Sequence, residues 1–250
     1  MASNKFDNKL SPGGMTFQPL YKQVEEHVTQ LIVEQRWKPG DMLPNEFQLA
    51  DEFGVSQGTV RKALNSLTQS KILTRRQGVG TFVSEHTGSQ ALYRFFPLVE
   101  DGKAPELPKA EILSFGICAN PPAEVNEHLN LQPNESVILL SRKRLLEDAV
   151  CLLEDIYLPE KYFPGFTTME DVPHTLYHFY QLHFNLTVHK TTDRIKAVLA
   201  STSDAELIGV DSGSPLLLFT RLTQSLEGKL IEYRINRCRS DNYHYLVDLQ

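Results

Sequence analysis

Gly54-Val55-Ser56-Gln57-Gly58-Thr59-Val60-Arg61-Lys62-Ala63-Leu64, followed by Leu73-Thr74-Arg75-Arg76-Gln77-Gly78-Val79-Gly80-Thr81-Phe82-Val83, decides the fold of the first third of the chain. Val60, Ala63, Leu64 and Leu67 recur at helical spacing behind Ser56, a good N-cap. A helix is therefore predicted here, with Thr59 and Arg61 on its outer face. Residues 72–74 and 81–83 read as two short strands, and residues 75–80 as the loop that joins them. From Val55 to Ser84 there are five basic residues (Arg61, Lys62, Lys71, Arg75, Arg76) and no acidic one, in a 250-residue chain of formal net charge −6. Charge of one sign along a helix and hairpin is the footprint of a surface that contacts phosphates.

Upstream, Leu20, Val24, Val28, Leu31 and Ile32 fall at helical spacing and predict a helix over 19–37, ended by Pro39-Gly40. Leu43-Pro44-Asn45 leads into a second helix from Glu46, with Asn45 as N-cap, Leu49, Ala50 and Phe53 as its apolar face, and Gly54 closing it. Two helices joined by a short turn at Gly54 make a helix-turn-helix. The hairpin after them adds a wing.

The charge balance divides the chain. Residues 1–84 hold 10 Lys+Arg against 8 Asp+Glu, a net of +2, and the remainder holds 15 against 23, a net of −8. An acidic larger part repels DNA and is expected to bind something else. Cys118, Cys151 and Cys238 are odd in number and far apart, which suggests neither a disulfide framework nor a thiolate metal site and fits a reducing cytoplasm. The opening residues lack the apolar core of a signal peptide, and no run approaches the ~20 apolar residues of a membrane span.

Beyond a polar Glu-His-Thr-Gly-Ser-Gln linker the pattern turns β-rich. Strands are predicted over 110–118, 136–146, 150–158, 186–199, 215–224, 230–237 and 243–249, with short helices over 123–129, 175–183 and 203–208. The fold class is α+β with a mainly antiparallel sheet. Within 150–158, alternation puts Val150, Leu152, Ile156 and Leu158 on one face with Glu154 as its single charge. A carboxylate on an apolar face needs a partner. Arg142 and Arg144 share a face of the preceding strand, adjacent to it if residues 146–150 form a hairpin. Two arginines outnumber one glutamate. They form either a structural pair with it or a positive site open to an anion, for which the planar guanidinium fork is suited. His174 and His178, with His183, His189 and Asp171 near, have helical metal-ligand spacing, but read as polar helix-face residues. No metal site, cofactor motif or catalytic constellation is predicted.

Leu43-Pro44-Asn45-Glu46, residues 54–64 and residues 75–83 together resemble the winged helix-turn-helix of GntR-family bacterial regulators, over about residues 19–83. The resemblance implies operator contacts from Asn45, Glu46, Ser56, Gln57, Thr59 and Arg61 on the helices. In the wing it implies contacts from Arg75, Arg76, Gln77, Gly78, Gly80 and Thr81. Two positions depart from the family pattern: Phe47 stands where Arg is usual, and Gln57 where a basic residue is common. Gln pairs more readily with adenine, Arg with guanine.

The second half resembles the UTRA effector domain of the HutC-like subfamily, which shares its fold with chorismate lyase. The marks are Arg142-x-Arg144, Glu154 with Leu158-Pro159, Phe163-Pro164-Gly165, Thr175-Leu176-Tyr177, Ser214-Pro215-Leu216, and Gly228 to Glu232. The resemblance implies an effector pocket at Arg94, Arg142, Arg144, Glu154, Thr175, Tyr177 and Glu232. Arg94 stands where sugar-phosphate-responsive members often carry a small hydroxyl residue, so the same ligand is not assumed.

The organisation expected is a flexible arm over 1–17, a DNA-binding domain over 18–84, a linker over 85–91, and an effector-binding and dimerisation domain over 92–250. The expected function is a cytoplasmic homodimeric regulator, most relatives being repressors, that binds pseudo-palindromic operator DNA and releases it on binding a small carboxylate- or phosphate-bearing metabolite. Two alternatives are an enzyme of chorismate-lyase-like fold and a second half that only dimerises.

Overall fold

A computed structural model describes residues 18–85 and 95–247. The chain separates into two compact units, Met1–Glu85 and His86–Gln250. The expected arm, most of the expected linker, Arg94 and Leu249 lie outside the described residues.

In the first unit, α1 (Leu20–Val33), α2 (Glu46–Phe53) and α3 (Gln57–Gln69) precede a hairpin of β1 (Leu73–Arg76) and β2 (Gly80–Val83). Both predicted caps form. Asn45 Oδ1 accepts from the Gln48 amide at 2.9 Å while Gln48 Oε1 accepts from the Asn45 amide at 3.0 Å, a reciprocal capping box. Ser56 Oγ accepts from the Thr59 amide at 3.2 Å. Val24, Val28, Leu49, Phe53, Val60, Ala63, Leu64 and Leu73 are buried, with α1 and α2 both packed on α3.

The first helix stops at Val33, short of the predicted residue 37. Gln35 takes a left-handed φ of 62°, and the amides of Gln35 and Arg36 donate back to the carbonyls of Ile32 and Leu31. This is a Schellman closure built on a non-glycine residue, which hydrophobic spacing does not reveal. Leu20, at the helix start, is 46% exposed and does not join the core.

The second unit is built on a six-stranded antiparallel sheet in the order β4-β5-β6-β9-β8-β7. Its strands are β4 (Lys109–Cys118), β5 (Val137–Leu146), β6 (Ala149–Pro159), β7 (Val188–Leu199), β8 (Pro215–Ser225) and β9 (Leu230–Arg239). Two short strands, β3 (Leu98–Glu100) and β10 (Tyr243–Tyr245), pair separately. The first of them was not predicted, because three residues carry no period. One sheet face packs on α5 (Leu176–Phe184), burying Ile138, Leu140, Ile156 and Leu158 against Phe163, Phe166 and Tyr180. The opposite face packs on α4 (Ala123–Leu129) through Tyr157 and Tyr233, and on α6 (Thr202–Ile208) through Leu153 and Leu216.

The hairpin between β5 and β6 turns through Glu147 and Asp148, both at positive φ (47° and 71°), the type I′ geometry that matches strand twist. The register then slips by one residue between Arg144 and Leu145. This bulge corrects one expectation. Val150 packs with Leu153 on the α6 side, not with Leu152 and Glu154, because an extra residue in a strand reverses the alternation beyond it. Past the bulge Arg142 lies directly across from Glu154.

Phe163 is fully buried, with its ring edge-on to Tyr180 at 4.8 Å and to Phe184 at 5.1 Å. Phe163→Ala should cost about 3–5 kcal/mol, seen as a lower denaturant midpoint at unchanged slope.

Candidate functional site

Two sets of residues carry chemistry, one in each unit. In the first, α3 begins at Gln57 and presents Gln57, Gly58, Arg61 and Lys62 to solvent. Ser56 Oγ and Thr59 Oγ1 are 2.8 Å apart at the helix N-terminus, where backbone N–H groups favour phosphate. Glu46, the first residue of α2, accepts from Arg61 Nε at 2.8 Å and from Arg75 Nη2 at 3.0 Å. One carboxylate thus ties the outer face of α3 to the wing. Glu46 orients two guanidiniums, and Asn45 Oδ1 is committed to its cap.

In the wing, Arg76 lies over the Phe82 ring at 4.3 Å, and Gln77, Gly78 and Val79 form an exposed tip. Gly78 sits at φ 72°. A Cβ on Gly80 would meet Met42 Sδ at 3.0 Å, because Met42 bridges to Phe82 beside it. Thr81 is half-buried, and its carbonyl accepts from Leu43. Phe47 projects 72% exposed near the start of α2.

The second set is buried. Glu154 is 2% exposed, and three arginines converge on it. Oε1 accepts from Arg142 Nε at 2.7 Å and Arg144 Nη1 at 3.0 Å, and Oε2 from Arg234 Nη1 at 2.8 Å. Arg234 also donates to both oxygens of Glu232, which is fully buried. Glu232 accepts further from Tyr177 and Tyr180, each at 2.9 Å, and from Thr223 at 3.2 Å. Backbone carbonyls take other donors: Pro173 from Arg142, His174 and Pro108 from Arg144. Two buried donors are left without a hydrogen bond, Arg142 Nη2 and Arg144 Nε. Arg142 Nη2 is ion-paired with Glu154 but misdirected for a hydrogen bond.

Charges and pKa values follow from this arrangement. Three guanidiniums against two carboxylates leave one positive charge buried. Burial, with Arg144 and Arg234 beside it outweighing Glu154, brings Arg142 down to about 10, so it stays protonated at neutral pH. Burial alone would raise Glu154, but the three arginines hold its carboxyl well below the usual carboxylate range. Burial and then Glu232 push the Tyr177 hydroxyl up to about 12, which keeps it a donor.

These residues border a cavity of about 50 Å³. Arg142, Arg144, Arg234, Thr175 and Tyr177 line it together with Phe95, Phe96 and Leu107. Glu154 and Glu232 stand behind the arginines and do not line it. Arg234, Phe95, Phe96 and His174 were not anticipated. Strand alternation would have put Arg234 on the face of Glu232, whereas no local signal points to the Phe pair. His174 Nδ1 accepts from the Ala110 amide at 3.0 Å. Among the described residues no group of His, Cys, Asp and Glu is placed to hold a metal.

The sequence model described as "Bacterial regulatory proteins, gntR family" matches residues 20–83, and that for the UTRA domain matches residues 105–244. The chain belongs to the GntR family and carries a UTRA domain. It is 27% identical over 239 residues to the mannosyl-D-glycerate transport/metabolism system repressor MngR of Escherichia coli, covering 94% of this chain and 98% of that one. It is 27% identical over 243 residues to the transcriptional repressor NagR of Bacillus subtilis, covering 96% and 97%. Among solved structures it resembles the ligand-binding domain of a candidate GntR-family regulator from Bordetella bronchiseptica. That match has a TM-score of 0.56 at 27% identity, over 63% of this chain and 99% of the other. PhnF from Mycobacterium smegmatis shares the fold at a TM-score of 0.54 and 22% identity, over 91% and 99%. This GntR-family chain is a DNA-binding transcriptional regulator, and no helix among its described residues is long and apolar enough to cross a membrane.

Glu154→Gln would leave three interior guanidiniums facing one carboxylate, and should destabilise the second unit by about 3–5 kcal/mol. The wild-type carboxyl is depressed from 4.5, so its contribution is complete above that pH and lost as pH falls through the folded value. Chemical denaturation from pH 7 down should therefore show a flatter acid limb for Glu154→Gln than for wild type.

Proposed function

We propose that this regulator is a cytoplasmic homodimeric repressor, released from a pseudo-palindromic operator when a small carboxylate- or phosphate-bearing anion binds beside Arg142, Arg144 and Arg234. The observation that carries the reading is the buried surplus of positive charge, with Arg144 Nε making no hydrogen bond and Arg142 Nη2 held only by its ion pair to Glu154. A purely structural cluster would satisfy its donors, since each unmade bond costs about 1–3 kcal/mol. An anion would complete Arg144 Nε and balance the charge. Glu154 and Glu232 serve as positioning residues behind the arginines, and Thr175 and Tyr177 as walls.

The cavity wall is tied into the sheet of the second unit. The Phe95 carbonyl accepts from Arg221, which is paired with Asp193, and the Phe95 ring meets Tyr177 edge-on at 4.7 Å. Residue 95 follows directly on the chain that leads from the winged helix.

On the DNA side, Ser56, Gln57, Thr59 and Arg61 are assigned to the major groove, with Gln57 favouring adenine. Arg75, Arg76 and the tip from Gln77 to Gly80 are assigned to the flanking backbone and minor groove, and Thr81 to support of the tip. Glu46 holds Arg61 and Arg75 ready without touching phosphate.

Replacing both Arg75 and Arg76 by Ala should weaken binding to every DNA sequence, and lower the log–log salt slope by ~0.9 for each phosphate no longer neutralised. Salt-titrated fluorescence anisotropy measures this, and an unchanged slope would remove the wing from the proposal. Arg144→Ala should raise the concentration of releasing anion about ten- to hundredfold. Its ligand-free operator affinity should hold, because Arg142 and Arg234 still pair Glu154. Operator release run beside thermal denaturation decides: normal release, or a large fall in melting temperature, would assign Arg144 to the fold alone.

A further inference from the structure

We propose that the anion is a monocarboxylate carried on a flat, apolar body, and not a phosphate ester. The proposal rests on the anion-site reading above and narrows it. Three observations support it.

The first is charge. Arg142, Arg144 and Arg234 are opposed by Glu154 and Glu232, all of them hydrogen-bonded in one cluster. One unit of positive charge remains among the described residues. A carboxylate cancels it. A phosphate monoester carries about −1.5 to −2 at neutral pH, and would bury unmatched negative charge beside Glu154 and Glu232.

The second is donor geometry. Arg144 Nε makes no hydrogen bond, while Arg142 Nη2 is held by its ion pair to Glu154. Arg142 and Arg144 are 1% and 5% exposed. One open donor beside the surplus charge suits a carboxylate better than the three acceptor oxygens of a phosphate. The other groups a phosphate or a sugar would use are taken. The Tyr177 hydroxyl donates to Glu232, and the carbonyls of Pro108, Pro173 and His174 accept from the arginines. Thr175 adds one hydroxyl to the lining.

The third is the wall. Phe95, Phe96, Leu107 and Leu176 line the cavity together with the cations. Phe96 lies 5.4 Å below the Arg144 guanidinium, and Arg234 lies 5.6 Å from the Tyr177 ring centre. The space is about 50 Å³, against roughly 300 Å³ or more in developed ligand sites. Any ligand enters by displacing the wall, and a thin planar body displaces it least. It also leaves the apolar side chains covered, where a polyhydroxylated ring would strand its hydroxyls.

The experiment uses the full chain with four probes at equal concentration: benzoate, benzamide, inorganic phosphate and glucose 6-phosphate. Thermal shift and isothermal titration are read for wild type, Arg144→Ala and Phe96→Ala. Benzoate should bind saturably and at least tenfold more tightly than either phosphate. Benzamide, with the same ring and no charge, should not bind. Arg144→Ala should weaken benzoate binding about ten- to hundredfold, and Phe96→Ala should weaken it less. If a phosphate binds as tightly as benzoate, or more tightly, and loses its signal in Arg144→Ala, the ligand class is wrong while the anion site stands. If benzamide matches benzoate, the site is an apolar one and both proposals fail. If no anion gives an Arg144-dependent signal, both fail as well.

Discussion

Glu154 is buried among the guanidiniums of Arg142, Arg144 and Arg234, and the second unit is arranged around that cluster. A carboxylate removed from water costs several kcal/mol unless strongly paired. Here it is paired three times, from β5 on one side and β9 on the other. The pairing requires β6 to lie between those strands, and requires Arg142 to sit opposite Glu154. The cluster therefore constrains both strand order and register. Arg234 extends it to Glu232, and Glu232 to Tyr177 and Tyr180 on α5, so the network runs from the sheet into the helix packed on it.

The same physics explains why the cluster does not close on itself. Guanidiniums are planar and offer five N–H donors each, and a carboxylate offers about four lone-pair sites. Three arginines cannot be satisfied by two glutamates and a few carbonyls in fixed positions. The surplus is kept at the edge of a cavity lined by Phe95 and Phe96. The proposed anion site and the stability of the sheet thus draw on the same residues. Glu154 and Glu232 hold the arginines in place and leave one positive charge unmatched.

The winged helix uses one carboxylate in a related way. Glu46 is half-buried and accepts from Arg61 on α3 and Arg75 on the wing. Both pairs are exposed enough to contribute little to stability. Their effect is orientation: two long side chains that would otherwise sample many rotamers are held on one face. This explains an acidic residue at the edge of a surface whose flanking segment carries only positive charge.

Much of this was legible in the sequence because the signals were local. Asn45 and Ser56 declared the starts of α2 and α3, since a cap depends on residues within one turn. The central strands of the sheet declared themselves by apolar content and by the turn residues between them. The facing of Arg142, Arg144 and Glu154 followed from strand alternation and one hairpin. Where local period failed, tertiary structure decided. The αL closure at Gln35 ended α1 early, and the bulge beyond Arg144 sent Val150 to the opposite face while leaving Arg142 across from Glu154. The joining of Arg234 to the cluster, the seating of Glu232 behind it and the arrival of Phe95 and Phe96 as its wall depend on strand order and on segments over a hundred residues apart. A one-dimensional pattern fixes which face a side chain takes along its own strand. Only the packed sheet determines which strands are neighbours, and hence how many charges share one buried carboxylate.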